Sequence, residues 1–276
     1  MLFEIIQSPL SGTILFFVLA LIISSIGFIK VVYFVSSGYA FSIVAMALLA
    51  IMSSFDILTP FCILQNLLLI IWGLRLGIFI ILRDFQSSYK KELEGVKERG
   101  RKITIPIKFM IWIGVSLLYT SMYSPAYLPL LIASSTIPLM IIMQAIGVTI
   151  MALGLCIEIF ADWQKSSFKA KNPSRFCNTG LYAFVRCPNY LGEILVWVGS
   201  FIAGILFCSN WWQVAFALFG VICIILIMIG STKRGEKAQL ERYGEKEDFK
   251  KWITTVPVLF PFVKVYSLKN VKVYIE

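Results

Sequence analysis

Long apolar runs, separated by short polar linkers, dominate the chain. Seven of them approach the roughly 20 residues that a helix needs to cross about 30 Å of hydrocarbon. They lie near 11–29, 39–57, 61–82, 106–123, 137–160, 190–208 and 211–230. The pattern predicts an all-α fold, a polytopic transmembrane helix bundle of about seven spans with short interfacial helices. Between the fourth and fifth runs, SPAYLPLLIASSTIP is apolar but carries Pro125, Pro129 and Pro138. It reads as a re-entrant segment, an interfacial segment or an extension of a neighbouring helix, so the span count stays open by one or two.

Composition agrees with the pattern. Hydrophobic residues make up 59% and charged residues 14% of the 276 positions, where a soluble domain has roughly 45–50% and about 25%. The length suits one membrane domain. The N-terminal MLFEIIQSPLSG has no Lys or Arg, so it lacks the basic start of a signal peptide, and the first run is read as a retained helix.

Charge orients the map. The net charge is +10, from 25 Lys and Arg against 15 Asp and Glu. Seven of the cations fall in 83–105, five in 161–189 and ten from 231 onward, while the linkers near 57–60, 124–136 and 208–211 hold none. Basic and neutral linkers alternate, and basic loops stay in the cytoplasm. The expected orientation is N-terminus outside and C-terminus cytoplasmic. The same bias makes nucleic acid an unneeded explanation for the charge. A lipid bilayer is the implied partner, and no protein partner is implied.

Absences narrow the chemistry. Histidine is missing altogether, which excludes His–metal sites, Ser–His triads and His general bases. The six cysteines form no C-x-x-C pair, so neither a metal site nor a disulfide framework is expected.

Polar residues at the ends of the spans are the candidates for function, because such groups are costly at a membrane boundary. Arg75 lies inside the third run and needs either a buried partner or a snorkelling path to the surface. The 84–102 loop reads as a short amphiphilic helix or a solvated loop. The fifth run ends in EIFADWQK: Glu158 and Asp162 are spaced i,i+4, and Lys165 follows Asp162 at i+3, so all three emerge on one helix face. Asn172-Pro173 breaks that helix. Asn178-Thr179-Gly180 reads as a turn, with Thr179 able to cap the next segment. The stretch TGLYAFVRCPNYLGE then sets Arg186, Asn189, Tyr190 and Glu193 at the mouth of the sixth run. After the seventh run, 231–252 reads as an interfacial amphiphilic helix broken near Gly244, then a second short helix ending at Trp252. If the ends of the last three spans converge, they gather Glu158, Asp162, Lys165, Arg186, Asn189, Tyr190, Glu193, Arg234 and Tyr243. Arginine and lysine suit phosphate, with Arg186 also able to form a structural pair, and the amide and carboxylates suit hydroxyl and amide groups. This is an inventory for a nucleotide cofactor without a glycine-rich phosphate loop.

Taken together, WGLRLGIFIILRD, E-x-x-x-D-x-Q-K-x-x-F (158–168), TGLYAFVRCPNYLGE and RYGEKEDFKKWITTVPVLFP resemble the steroid 5α-reductase-like membrane proteins. The nearest branch is the bacterial one described as a domain of unknown function with a steroid-reductase-like C-terminal region. The likeness covers roughly 65–262, leaving variable N-terminal helices over 1–64 and a short cytoplasmic tail over 263–276. It implies NADPH bound at the cytoplasmic side of the bundle and hydride delivery to a conjugated C=C of a hydrophobic lipid substrate. At the matching positions, Asp162 and Asn189 would contact the cofactor, Arg234 and Tyr243 would join them from the C-terminal segment, and Glu193 would line the reacting cavity, where in neutral form it would donate a hydrogen bond. The residue inventory adds Glu158, Lys165 and Arg186 to the cofactor set and Tyr190 to the catalytic side.

The same superfamily includes isoprenylcysteine-type and phospholipid methyltransferases, which carry a related R-H-P-x-Y-x-G motif and bind S-adenosylmethionine. Cys187 stands where that motif has its histidine, and the E-x-x-x-D-x-Q-K segment and Asn189 are reductase-like. A non-catalytic membrane protein is the remaining alternative.

Overall fold

The computed structural model describes residues 2–54, 59–85, 95, 98, 100–131 and 137–271. These residues are all-α, with no strand among them. The helices are α1 (Leu2–Gln7), α2 (Pro9–Ser24), α3 (Ser37–Ser54), α4 (Pro60–Asp84), α5 (Ile105–Tyr127), α6 (Pro138–Lys171), α7 (Pro188–Gly204), α8 (Trp211–Tyr243) and α9 (Glu247–Thr255). Among the described residues, seven helical segments are long and apolar enough to cross a membrane: Pro9–Phe28, Val31–Ser53, Pro60–Asp84, Ile105–Leu131, Pro138–Lys171, Pro188–Phe207 and Trp211–Tyr243.

Of the readings left open for the proline-rich stretch, extension of a neighbouring helix holds as far as Leu131: α5 passes through Pro125 and continues as a 3₁₀ turn, Leu128–Leu131. Two expectations change. The seventh run does not stop at 230. α8 continues unbroken for 33 residues, so the charged stretch expected as a separate interfacial helix is its last third. Gly244 ends it, where an added Cβ would lie 2.5 Å from the Leu240 carbonyl. Thr179 precedes the 3₁₀ turn Gly180–Ala183 but makes no side-chain cap. Most of the 84–102 loop lies outside the described residues. Arg75 is half-buried within α4.

The chain divides into two compact units. The first takes residues 1–148 and 200–220, and its core is aromatic and hydrogen-bonded. Phe16 packs edge-on against Tyr123 and Tyr127, and Tyr39 lies against Trp72 and Tyr119. Thr59 caps α4 by accepting from the Cys62 amide at 3.3 Å, with Pro60 following as the first helical residue.

Two prolines explain the polar residues beside them. Pro125 has no N–H for the Ser121 carbonyl, and Pro129 has none for the Pro125 carbonyl. In hydrocarbon each freed carbonyl needs another donor. Ser124 Oγ donates to the Ser121 carbonyl at 2.8 Å, and Gln65 Nε2 reaches the Pro125 carbonyl at 3.4 Å and Ser200 Oγ at 3.1 Å. Gln65→Leu is expected to lower stability by about 1 kcal/mol, in the range of hydrogen bonds between membrane helices. A thermal melt in detergent checks this, and an unchanged midpoint refutes the role given to Gln65.

The second unit takes residues 149–199 and 221–276 and holds all nine candidate site residues. Its frame is the crossing of α6 and α7. A Cβ on Gly154 would lie 2.6 Å from the Gly192 carbonyl, and one on Gly192 would lie 2.6 Å from the Gly154 carbonyl and 2.8 Å from the Glu158 amide. Only glycine lets the two backbones approach this closely. The crossing brings the segment holding Glu158 beside the segment holding Glu193.

Candidate functional site

The site is assembled on α6. Its 34 residues run without a break to Lys171, so Glu158, Asp162 and Lys165 stand on consecutive turns. Glu158 is buried, Asp162 half-buried and Lys165 exposed. Gln164 Oε1 accepts from the Leu181 amide at 3.0 Å, and Tyr182 donates to the Ala161 carbonyl at 3.3 Å. Gly180 makes this docking possible. It adopts φ +59°, and a Cβ there would strike the Gln164 side chain at 2.7 Å. The Gly-Leu-Tyr start of the motif is thus tied to α6 by the glutamine of D-x-Q-K.

The other side of the motif rests on α9 and the C-terminal segment. Trp252 Nε1 donates to the Tyr182 carbonyl at 3.1 Å. Phe176, Tyr182, Tyr243, Phe249 and Trp252 form one buried cluster with Ala161 and Cys177. α9 is built for this, because Phe249 and Trp252, spaced i,i+3, are buried while Lys250 and Lys251 are exposed. The backbone of the motif also pairs with the chain beyond α9: the Arg186 amide donates to the Pro257 carbonyl at 2.9 Å and the Cys187 amide to the Val258 carbonyl at 3.1 Å.

Arg186 is 1% exposed. Its Nη2 donates to Glu236 Oε1 at 3.1 Å and to the Tyr266 carbonyl, and its guanidinium lies 6.0 Å from the centre of the Trp252 ring. Of the two roles the sequence leaves open for Arg186, phosphate ligand and structural partner, it makes the structural pair. Glu236 Oε2 accepts from the Leu268 amide at 3.0 Å.

Three of the remaining candidates stand at the start of α7. Asn189 and Tyr190 are half-buried, and Glu193, one turn on, is buried. Tyr190 lies within electrostatic reach of Glu193, Arg234 and Asp162, and Cys187 within reach of Lys165, Arg186 and Glu236. Arg234 is exposed and donates to Ser231 Oγ at 2.9 Å. Tyr243 is buried, its hydroxyl in contact with Lys169 Nζ. Burial keeps the Tyr182 phenol well above its ordinary range and pushes the Cys187 thiol up to about 11. At neutral pH Cys187 is therefore a neutral thiol, without the proton-exchange role of a histidine.

Sequence reasoning passed over Glu236, Gln164 and Gly154. Glu236 carried a signal: Val221, Ile224, Met228, Thr232, Glu236 and Tyr243 are all buried at helical spacing along α8. Extending the apolar stripe past Gly230 reaches Glu236, whereas Glu241 and Glu245 are exposed. Gln164 and Gly154 carried no local signal, because their partners lie on another element. Among the described residues no group of three or more potential ligands could hold a metal ion.

Neither the curated proteins nor the solved structures contain a significant match to this chain. A family model described as "Protein of unknown function (DUF1295)" matches residues 16–256. The match takes in the second half of α2, α3 to α9 and the TGLYAFVRCPNYLGE stretch, so the chain is a polytopic membrane protein of the DUF1295 family.

Proposed function

We propose that the protein is a membrane-embedded NADPH-dependent reductase of a C=C bond in a lipid, isoprenoid or steroid-like substrate, with its cofactor end on the cytoplasmic side. The observation that supports this reading is the polar cluster around Tyr190, drawn from three helices: Asp162 from α6, Glu193 from α7 and Arg234 from α8. Its residue types fit the cofactor. Asp162 and Asn189 suit ribose hydroxyls and a carboxamide, and the exposed Lys165 and Arg234 suit phosphate. Glu158 and Tyr243, both buried, complete the cofactor set in this reading. NADPH, when bound, supplies the hydride. Tyr190 and Glu193, spaced i,i+3 on α7, carry a hydroxyl and a carboxyl on one face, suited to polarising a carbonyl conjugated to the double bond. The similarity of the motif to steroid 5α-reductase-like proteins points the same way.

Thermal shift on the detergent-purified protein with NADPH, NADH and S-adenosylmethionine tests the reading, because a ligand of the folded state raises the midpoint. NADPH is expected to stabilise. Asp162→Ala and Asn189→Ala are each expected to weaken its binding about tenfold, or about 1.4 kcal/mol. Stabilisation by S-adenosylmethionine alone would identify a methyltransferase and sink the reductase reading. Unchanged NADPH affinity in both variants would refute the site assignment.

A further inference from the structure

The C-terminal segment 257–271 does more than follow α9. It runs beside the R-C-P-N-Y stretch and returns on itself, with the Val258 amide donating to the Val265 carbonyl at 2.9 Å. Its Pro257 and Val258 carbonyls hold the amides of Arg186 and Cys187. Its Tyr266 carbonyl accepts from the Arg186 guanidinium, and its Leu268 amide donates to Glu236. Val258, Leu259 and Leu268 are buried in the same packing. Three separated pieces of chain thus meet at one carboxylate: the motif through Arg186, α8 through Glu236 itself, and the terminal segment through Leu268.

We propose that Glu236 is a positioning residue and that 257–271 is a latch it closes over the R-C-P-N-Y segment, setting Asn189 and Tyr190 in place. Glu236 itself would touch neither cofactor nor substrate. It uses one oxygen on Arg186 and the other on the latch backbone, so a single carboxylate couples latch closure to the placement of the motif. An amide at this position keeps the shape, but removes the charge that a buried guanidinium requires. The effect of the latch on cofactor binding rests on the reductase reading. The latch itself does not, and it has its own readout.

That readout is Cys187. It sits under the latch, 7% exposed, with its backbone held by Val258. A closed latch hides the thiol, and an open one exposes it. Cys62, 1% exposed in the first unit, reports global unfolding instead.

Two variants of the full protein in detergent approach the latch from opposite sides. Glu236→Gln alters the carboxylate, and truncation after Phe262 removes the Tyr266 carbonyl and the Leu268 amide while keeping Arg186 and Glu236. Maleimide labelling at neutral pH is followed at each cysteine by peptide mass spectrometry, alongside NADPH titration. In both variants Cys187 is expected to label at least tenfold faster than in the parent with Cys62 unchanged, and NADPH to bind at least tenfold more weakly. Unchanged labelling of Cys187 in both variants overturns the latch. So does a rise matched by Cys62, because that reports unfolding. Faster Cys187 labelling with unchanged NADPH affinity overturns the positioning role of Glu236. If the parent protein binds no NADPH, the reductase reading fails, and the labelling rates alone decide whether the latch stands.

Discussion

Gly192→Leu is expected to yield no folded protein. A Cβ at 192 would lie 2.6 Å from the Gly154 carbonyl, 2.8 Å from the Glu158 amide and 2.9 Å from the Glu158 Cβ. Two of these are backbone atoms of α6 and cannot swing aside, so the crossing must open along its length. Gly192→Ala should already cost about 1–3 kcal/mol by overpacking, and the larger leucine adds atoms where the first one has no room. Gly114 provides the control, because a Cβ there meets nothing within 4 Å. Gly114→Leu should melt with the parent or slightly above it, as glycine is a weak helix former. Size-exclusion profiles and thermal melts in detergent rank the variants. If Gly192→Leu matches Gly114→Leu, the close crossing of α6 and α7 is wrong. The crossing matters for function because Glu193 follows Gly192 directly and Glu158 lies one helical turn beyond Gly154.

The second large effect is expected from the buried ion pair. Glu236→Met should destabilise the protein by about 3–5 kcal/mol, the range for removing one member of a buried pair. It leaves Arg186, 1% exposed, without its counter-charge, and takes the acceptor from the Leu268 amide. Arg186→Met should cost a similar amount, by stranding Glu236. The double variant Arg186→Met, Glu236→Met should recover most of the loss, because two apolar side chains remove the cost of burying both charges. A double-mutant cycle on melting or denaturant midpoints measures this. If the two single losses simply add in the double variant, the residues are not coupled and the pair does not organise this region. Salt should change the result little, because buried pairs are screened weakly.

Much of the fold was legible from the pattern of residues. Every apolar run of spanning length became a helix, and Asn172-Pro173 ended α6 where expected. The errors lay where a helix leaves its apolar run. The hydropathy of α8 falls after Gly230, but its buried face continues through Thr232 and Glu236 to Tyr243, so the helix continues too. The prolines of α5 left a re-entrant segment, an interfacial segment and a lengthened helix open, and the helix lengthens because Ser124 and Gln65 supply the donors that the broken ladder needs. Gln65 lies sixty residues from Pro125, and no local pattern connects them.

The candidate site was legible as a set of residues and only in part as an arrangement. Spacing alone put Glu158, Asp162 and Lys165 on one face, and the motif set Arg186, Asn189, Tyr190 and Glu193 at the mouth of the sixth run. For Arg186 the sequence offered two roles with equal chemical sense, and the choice required Glu236, fifty residues further on. The tail beyond 262 looked like an appendage because it is short and mixed in character. Its role comes from backbone carbonyls and amides, which every sequence possesses and none advertises.

The medium and the helices are written in the order of residues alone: hydrophobicity sets the number and length of spans, the distribution of charge predicts their orientation, and helical periodicity groups neighbours on a face. These properties depend on residues within a few turns of one another. Packing in three dimensions settled how Gly154 meets Gly192, why Gln164 holds the motif, and that Arg186, Glu236 and the 257–271 segment form one buried junction. These depend on close packing and on satisfying buried donors and acceptors across distant parts of the chain, where each partner has meaning only once the other is in place.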